Sequence, residues 1–213
     1  MPPIIHHLRE LVLNILFPPS CRGCGTDGVW LCESCLLSCG PHIDRAEPVK
    51  HVDRLLCLGS YDSRILGQVI KQLKYGGGRV ISTILGRALG KLAEEYLTAD
   101  CIIPVPLHSK RQRSRGFNQA MLISEEAASV LKIPVMPLVI RIKNTVPQVT
   151  LHENERARNV AHAFALAHAV DFVPKRGIII DDVFTTGATI SEVAHVLREA
   201  GMEHITALTI AKG

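Results

Sequence analysis

The sequence predicts an α/β fold, a parallel sheet flanked by helices, with a small four-cysteine unit at its N-terminal end. Three observations carry that expectation. Residues 178–180 are three consecutive isoleucines, the uninterrupted β-branched run of a strand buried on both faces. Apolar runs alternate along the chain with stretches of helical periodicity, the order that builds a parallel sheet through helical crossovers. Finally, Cys21, Cys24, Cys32 and Cys35 form two CxxC knuckles separated by seven residues.

Composition sets the frame for each element. With 213 residues, 47% of them apolar, the chain can bury one good core and carry a small appendage. The net charge of +4 is too mild to imply nucleic acid by itself. Ile4, Leu8, Leu11, Val12, Ile15 and Leu16 recur at helical spacing until Pro18 and Pro19 stop the pattern. That segment also carries His6, His7, Arg9, Glu10 and Asn14, so it reads neither as a signal h-region nor as a membrane span. The expectation is a cytosolic (cytoplasmic) protein in two parts: residues 1–45 with the N-terminal helix and the knuckles, and residues 50–213 as the α/β domain.

The paired knuckles suit a tetrahedral Zn²⁺, because a two-residue turn brings both sulfurs of a pair to one ion. Gly23 and Gly25 permit the tight backbone. Two disulfides, reduced thiols or an iron–sulfur cluster are the alternatives. No position is left open for chemistry, so the metal is expected to be structural. Cys57 and Cys101 stand in apolar runs and read as core residues, while Cys39 lies outside the pattern.

Residues 41–53 turn polar and read as a linker. A strand is expected over 55–61, then a helical stripe through Ile65, Val69, Ile70 and Leu73 that ends at Lys74, Tyr75 and three glycines. Residues 79–97 form a second amphipathic helix, and 101–107 (CIIPVPL) a short apolar strand. Lys110, Arg111, Arg113 and Arg115 come next, within six residues, and read as a basic loop, with Gly116 before the next helix. Residues 134–141 read as a strand, 143–155 as a long polar loop, 163–167 as a weaker pattern, and 204–210 as the last strand. In a strand–loop–helix unit the basic run would share the carboxyl edge of the sheet with the residues after the isoleucines, the edge where α/β proteins bind ligands.

Those residues are the most informative in the chain. Asp181 and Asp182 stand where the strand should end, and Thr185, Thr186, Gly187, Ala188 and Thr189 lead into a helical pattern at Val193, Val196 and Leu197. A Gly/Thr loop lets backbone N–H groups converge, and the helix after it adds its unpaired donors and positive dipole end. Such a place suits a phosphate monoester. Two carboxylates beside it can accept from a sugar diol or hold Mg²⁺ through water.

This run resembles the binding motif for phosphoribosyl pyrophosphate (PRPP) in type I phosphoribosyltransferases. The wider set is similar to the ComF (competence protein F) family of phosphoribosyltransferase-like proteins. That set is the knuckles near an LFPP segment, Lys74-Tyr75, Pro104-Val-Pro106, Arg115-Gly-Phe-Asn-Gln119, Thr145, Gln148, Arg156, Asn159 and the Asp181–Thr189 motif. The resemblance implies a type I phosphoribosyltransferase fold behind a zinc finger, and a link to DNA uptake in natural transformation. It implies no acceptor substrate. On it, Asp181 and Asp182 orient the ribose, residues 185–189 hold the 5-phosphate, and Lys110, Arg111 and Arg115 take the pyrophosphate. Arg156 becomes a lid contact, with Lys74 and Tyr75 as further contacts. The implied cofactors are structural zinc and Mg²⁺, with PRPP as substrate. Three functions stay open: a PRPP-dependent pentosyl transferase, a PRPP-binding sensor on the same fold, and an accessory protein that holds single-stranded DNA and other competence proteins.

Overall fold

The computed structural model describes residues 18–40, 42–44, 49–75, 78–143, 159–168 and 170–213, with backbone alone for 42–44, 74, 75 and 78. The helix expected within 4–17, most of the 143–155 loop, Thr145, Gln148 and Arg156 lie outside the described residues, as do the side chains of Lys74 and Tyr75.

The expected α/β class is the one observed. A five-stranded sheet runs β1 (His42–Asp44), β2 (Arg54–Cys57), β7 (His204–Lys212), β6 (Arg176–Phe184), β3 (Cys101–Pro104). All neighbours are parallel except the edge strand β1, which is antiparallel to β2. In β6, Ile178, Ile179 and Ile180 are buried, as an apolar run with sheet neighbours on both sides should be. Burying each is worth roughly 1.5–3 kcal/mol.

Helices cover the sheet: α1 (Glu33–Ser38), α2 (Arg64–Tyr75), α3 (Gly78–Tyr96), α4 (Ser109–Arg115), α5 (Gln119–Leu131) and α6 (Ala188–Glu199). Helices α3 and α5 approach closely because Gly86 and Gly90 of α3 carry no side chains toward α5. A Cβ at Gly86 would stand 2.6 Å from both the Ile123 carbonyl oxygen and Glu126 Cβ. The four-cysteine segment is not separate from this core. Cys21, Leu31 and Cys35 belong to the same buried cluster as Leu66, Leu85 and Ile180.

Several boundaries differ from expectation, each for a local reason. The linker at 41–53 is partly structured: residues 42–44 form β1, and 49–53 lie along α6. There Arg198 donates to the His51 carbonyl at 3.2 Å and to Asp53 Oδ1 at 2.6 Å, while the His51 and His195 rings stack at 4.9 Å. The strand expected over 55–61 ends at Cys57, and the chain passes Gly59 close under the Cys39 carbonyl. The strand expected over 101–107 ends at Pro104. The one expected over 134–141 shrinks to β4 (Val139–Arg141), because Pro134 and Pro137 lack ladder donors. It pairs not with the parallel sheet but antiparallel with β5 (Phe164–Leu166), and only the bridge Val135–Ile102 joins its approach to β3. The basic run is not a loop. It is α4, started by His108, whose Nδ1 accepts from the Lys110 N–H at 3.3 Å, and stopped by Gly116 at φ 87°.

Candidate functional site

The aspartate pair sits inside β6 rather than at its end, because β6 outruns one neighbour. β3 pairs with Gly177 to Ile180 and stops, while β7 accompanies β6 as far as Phe184. Asp181 and Asp182 are thus held straight by β7 on one side and stand clear of β3 on the other. Both are half-buried, and Asp181 Oδ1 accepts from the Asp182 N–H at 2.8 Å.

Beyond Phe184 the loop 185–189 turns into α6. Gly187 is the N-cap at φ 73°, a left-handed conformation that costs an L side chain about 1–2 kcal/mol. A Cβ there would also stand 2.8 Å from the Phe184 ring. Because the cap is glycine, it supplies no side-chain cap to the first turn of α6. Thr186 Oγ1 is buried with no hydrogen-bond partner among the described residues. Asp181, Thr185, Gly187, Ala188 and Thr189 line one concavity. The glycine-led start of α6 brings its positive helix end to that concavity, which suits it to an anion.

Helix α4 faces the same edge selectively. Arg111 and Arg115, one turn apart, are half-buried, whereas Lys110 and Arg113 are exposed. Burial, then the neighbouring Arg115 charge, holds the Arg111 guanidinium below its ordinary value. Arg141, at the end of β4, is a site residue that neither motif nor spacing singles out. Burial lowers its pKa, the Arg111 charge lowers it further and the Asp181 charge opposes. Its guanidinium lies 5.2 Å over the Phe164 ring centroid. The available signal was a lone cation closing the apolar triplet at 138–140.

The second site is the cysteine set. The sulfurs of Cys21, Cys24, Cys32 and Cys35 all lie within 4.8 Å of one another, and the Cys24–Cys32 pair is at 3.6 Å. A Zn–S bond of about 2.3 Å separates tetrahedral thiolates by about 3.8 Å, so the donor set fits one such ion. All four are free thiols, which removes the two-disulfide alternative. The first knuckle is closed by the Gly25 N–H to the Cys21 carbonyl at 2.9 Å, and the second opens α1. Gly25 has φ 78°, and a Cβ at Gly23 would overlap Cys35 Sγ. Burial opposes ionisation of Cys21, but N–H groups of Cys24, Cys32 and Gly23 outweigh it and bring the thiol to about 6. Sharing with the Cys32 thiol, then burial, pushes Cys35 up to about 12. Four thiolates cannot coexist at these distances without a cation among them. Cys57 and Cys101 are core residues as expected, and burial raises Cys101 to about 11.

No family model matches the chain. Among curated proteins it is similar to competence protein F of Haemophilus influenzae, 32% identical over 91% of this chain and 85% of that one. It is similar to the DNA utilization protein YhgH of Escherichia coli K12, 31% identical over 78% and 73%. A further relative is competence protein ComFC of Streptococcus pneumoniae, 24% identical over 65% and 60%. Among solved structures, the PRPP amidotransferase of B. subtilis matches at 17% identity and a TM-score of 0.42, over 66% of this chain and 30% of that one. The UMP synthase of Leishmania donovani matches at 16% and 0.40, over 68% and 24%.

Proposed function

The chain belongs to the competence protein F family, and from that premise we propose that it binds PRPP with Mg²⁺ on a type I phosphoribosyltransferase fold. In this reading it transfers the phosphoribosyl group, or senses its donor, in the cytoplasmic handling of imported DNA. The observation that carries the proposal is the continuous edge from Asp181 to Thr189. It holds two carboxylates clear of β3, a glycine-capped helix start and the unpartnered Thr186 hydroxyl. Asp181 and Asp182 accept from the ribose hydroxyls, and residues 185–189 donate to the 5-phosphate. Arg111 and Arg115 take the pyrophosphate through charge-assisted hydrogen bonds. Lys110, exposed on α4, is the weakest of the three cations proposed there. Arg156, Lys74 and Tyr75 keep the roles that the family resemblance implies.

Mg²⁺, when bound, draws negative charge off the departing pyrophosphate. The chain's own residues orient the ribose and separate the two phosphate ends, which exposes C1′ to a nucleophile. No side chain is assigned as general base, which keeps PRPP sensing as the second reading. In the same reading the four cysteines hold one structural zinc, carried by the N-terminal residues 1–45, whose Cys21, Leu31 and Cys35 pack into the core of the domain at 50–213. No helix among the described residues is long and apolar enough to cross a membrane.

Helix α4 has four cations in seven residues and no acid, a composition that also suits single-stranded DNA. One set of measurements separates transferase, sensor and accessory roles. Calorimetry with Mg²⁺ should give PRPP binding, and pooled nucleobases or amines should release pyrophosphate if transfer occurs. Binding without release selects the sensor. DNA binding that collapses as salt rises, with no PRPP binding, selects the accessory role.

A further inference from the structure

We infer that Arg141 supplies a third guanidinium to the pyrophosphate subsite, reaching it from the β4–β5 hairpin rather than from the parallel sheet. The inference rests on the PRPP reading above and deepens it. Its first support is how firmly the side chain is held. Arg141 is directly opposite Phe164 in the antiparallel register, and its guanidinium lies 5.2 Å over that ring. Phe164 is itself only 5% exposed and packs in one cluster with Leu138, Val139, Val160 and Ala163. A cation stacked on a buried aromatic face keeps its direction at little entropic cost.

The second support is what it faces. The Arg141 charge is felt together with those of Arg111 and Asp181, which come from α4 and β6. Arg111 is in turn beside Arg115. The hairpin end that carries Arg141 is set beside the carboxyl edge, because Val139 and Phe164 pack in one cluster with Val105, just past β3, and with Val193 of α6. Guanidiniums brought to one edge from β4 and α4 suit a ligand with several negative charges. Of the two phosphate ends of PRPP, the 5-phosphate has its own cradle at 185–189, so the pyrophosphate falls to the arginines. A guanidinium cannot lose its proton at working pH, so Arg141 holds and neutralises the leaving group and takes no part in proton transfer.

The test compares PRPP, inorganic pyrophosphate and ribose 5-phosphate as calorimetric probes, each with Mg²⁺, on the full chain. Arg141→Met keeps an aliphatic stem over Phe164 and removes the charge, while Arg141→Lys keeps the charge and removes the fork. The expected result is a loss of roughly 10- to 100-fold for PRPP and pyrophosphate with Arg141→Met, as charge-assisted hydrogen bonds of this kind are worth. Ribose 5-phosphate should bind within about twofold of the parent, Tm should hold, and Arg141→Lys should recover part of the loss. Equal losses for PRPP and ribose 5-phosphate, or a fall in Tm that accounts for them, would make Arg141 a prop of the hairpin and overturn the inference. No loss for PRPP or pyrophosphate, while Arg111→Ala loses both, would overturn it alone. If the parent binds none of the three probes, the PRPP reading falls and takes the inference with it.

Discussion

The cysteine cluster and the sheet-edge site are both built to meet charge, yet they are assembled in opposite ways. The four sulfurs come from one stretch of fifteen residues, 21–35, and two short turns suffice to bring them together. The sheet-edge site as proposed draws Arg111 and Arg115 from α4, Arg141 from β4 and the acids from β6, residues up to 71 positions apart. A local site is specified by spacing, because a tight turn has few geometries. A distributed site is specified by which strand outruns which, and no local rule encodes that. The two regions also differ in what glycine does. Gly23 leaves space for a neighbouring sulfur, whereas Gly187 supplies a left-handed helix cap against the Phe184 ring.

The comparison breaks most visibly at the metal. Structural thiolate sites draw on the order of 10 kcal/mol from their ion. Cys35→Ser should therefore abolish metal binding, from about one zinc per chain to none by elemental analysis. It should also lower Tm for the whole chain, since Cys35 belongs to the main core cluster. A chain that keeps its Tm without metal would make the cysteine unit an independent appendage.

The acids come next. Asp181→Asn with Asp182→Asn removes two charge-assisted acceptors at roughly 1.5–3 kcal/mol each, so PRPP affinity should fall at least tenfold by calorimetry while Tm stays near the parent. Unchanged PRPP binding by the double variant would make the pair a structural feature of β6.

A matched pair of glycine changes sharpens the contrast. Gly187→Ala should cost about 1–2 kcal/mol for the left-handed backbone alone, and more from Phe184, with the loss seen in PRPP affinity. Gly23→Ala should lose metal and leave PRPP binding closer to the parent. Losing both ligands in both variants would mean that the two regions unfold as one.

The smallest effect is at the opposite end of β3 and β6, where Arg176 Nη2 donates to Asp100 Oδ1 at 2.7 Å. The Arg176 hydrogen bond holds the Asp100 carboxyl below its ordinary value. A depressed carboxyl stabilises the fold above its unfolded pKa, and that contribution is lost as pH falls through the folded one. Asp100→Asn should therefore lose a small stabilising contribution at neutral pH, flatten the acid limb slightly below about pH 4 and converge on the parent there, as surface ion pairs contribute little. A steeper acid limb in the variant would reverse the assignment.

Much of the molecule was legible from residue order alone. Three isoleucines could hardly fill anything but a strand covered on both faces, and two knuckles seven residues apart specify one four-sulfur cluster. A TTGAT run after two acids specifies a turn into a helix with an open N-terminus. These are short-range facts, and turns, caps and periodicities act over a few residues. Tertiary structure decided the rest. It made a capped helix of the basic run and turned its Arg111 and Arg115 inward while leaving Lys110 outside. It took residues 139–141 out of the parallel sheet and paired them with 164–166, which put Arg141 against Phe164. And it let β6 run past β3, so that the two acids stand in a strand with one side open. The physical reason is the same each time: pairing and burial depend on neighbours dozens of residues away, whose arrival no local preference announces.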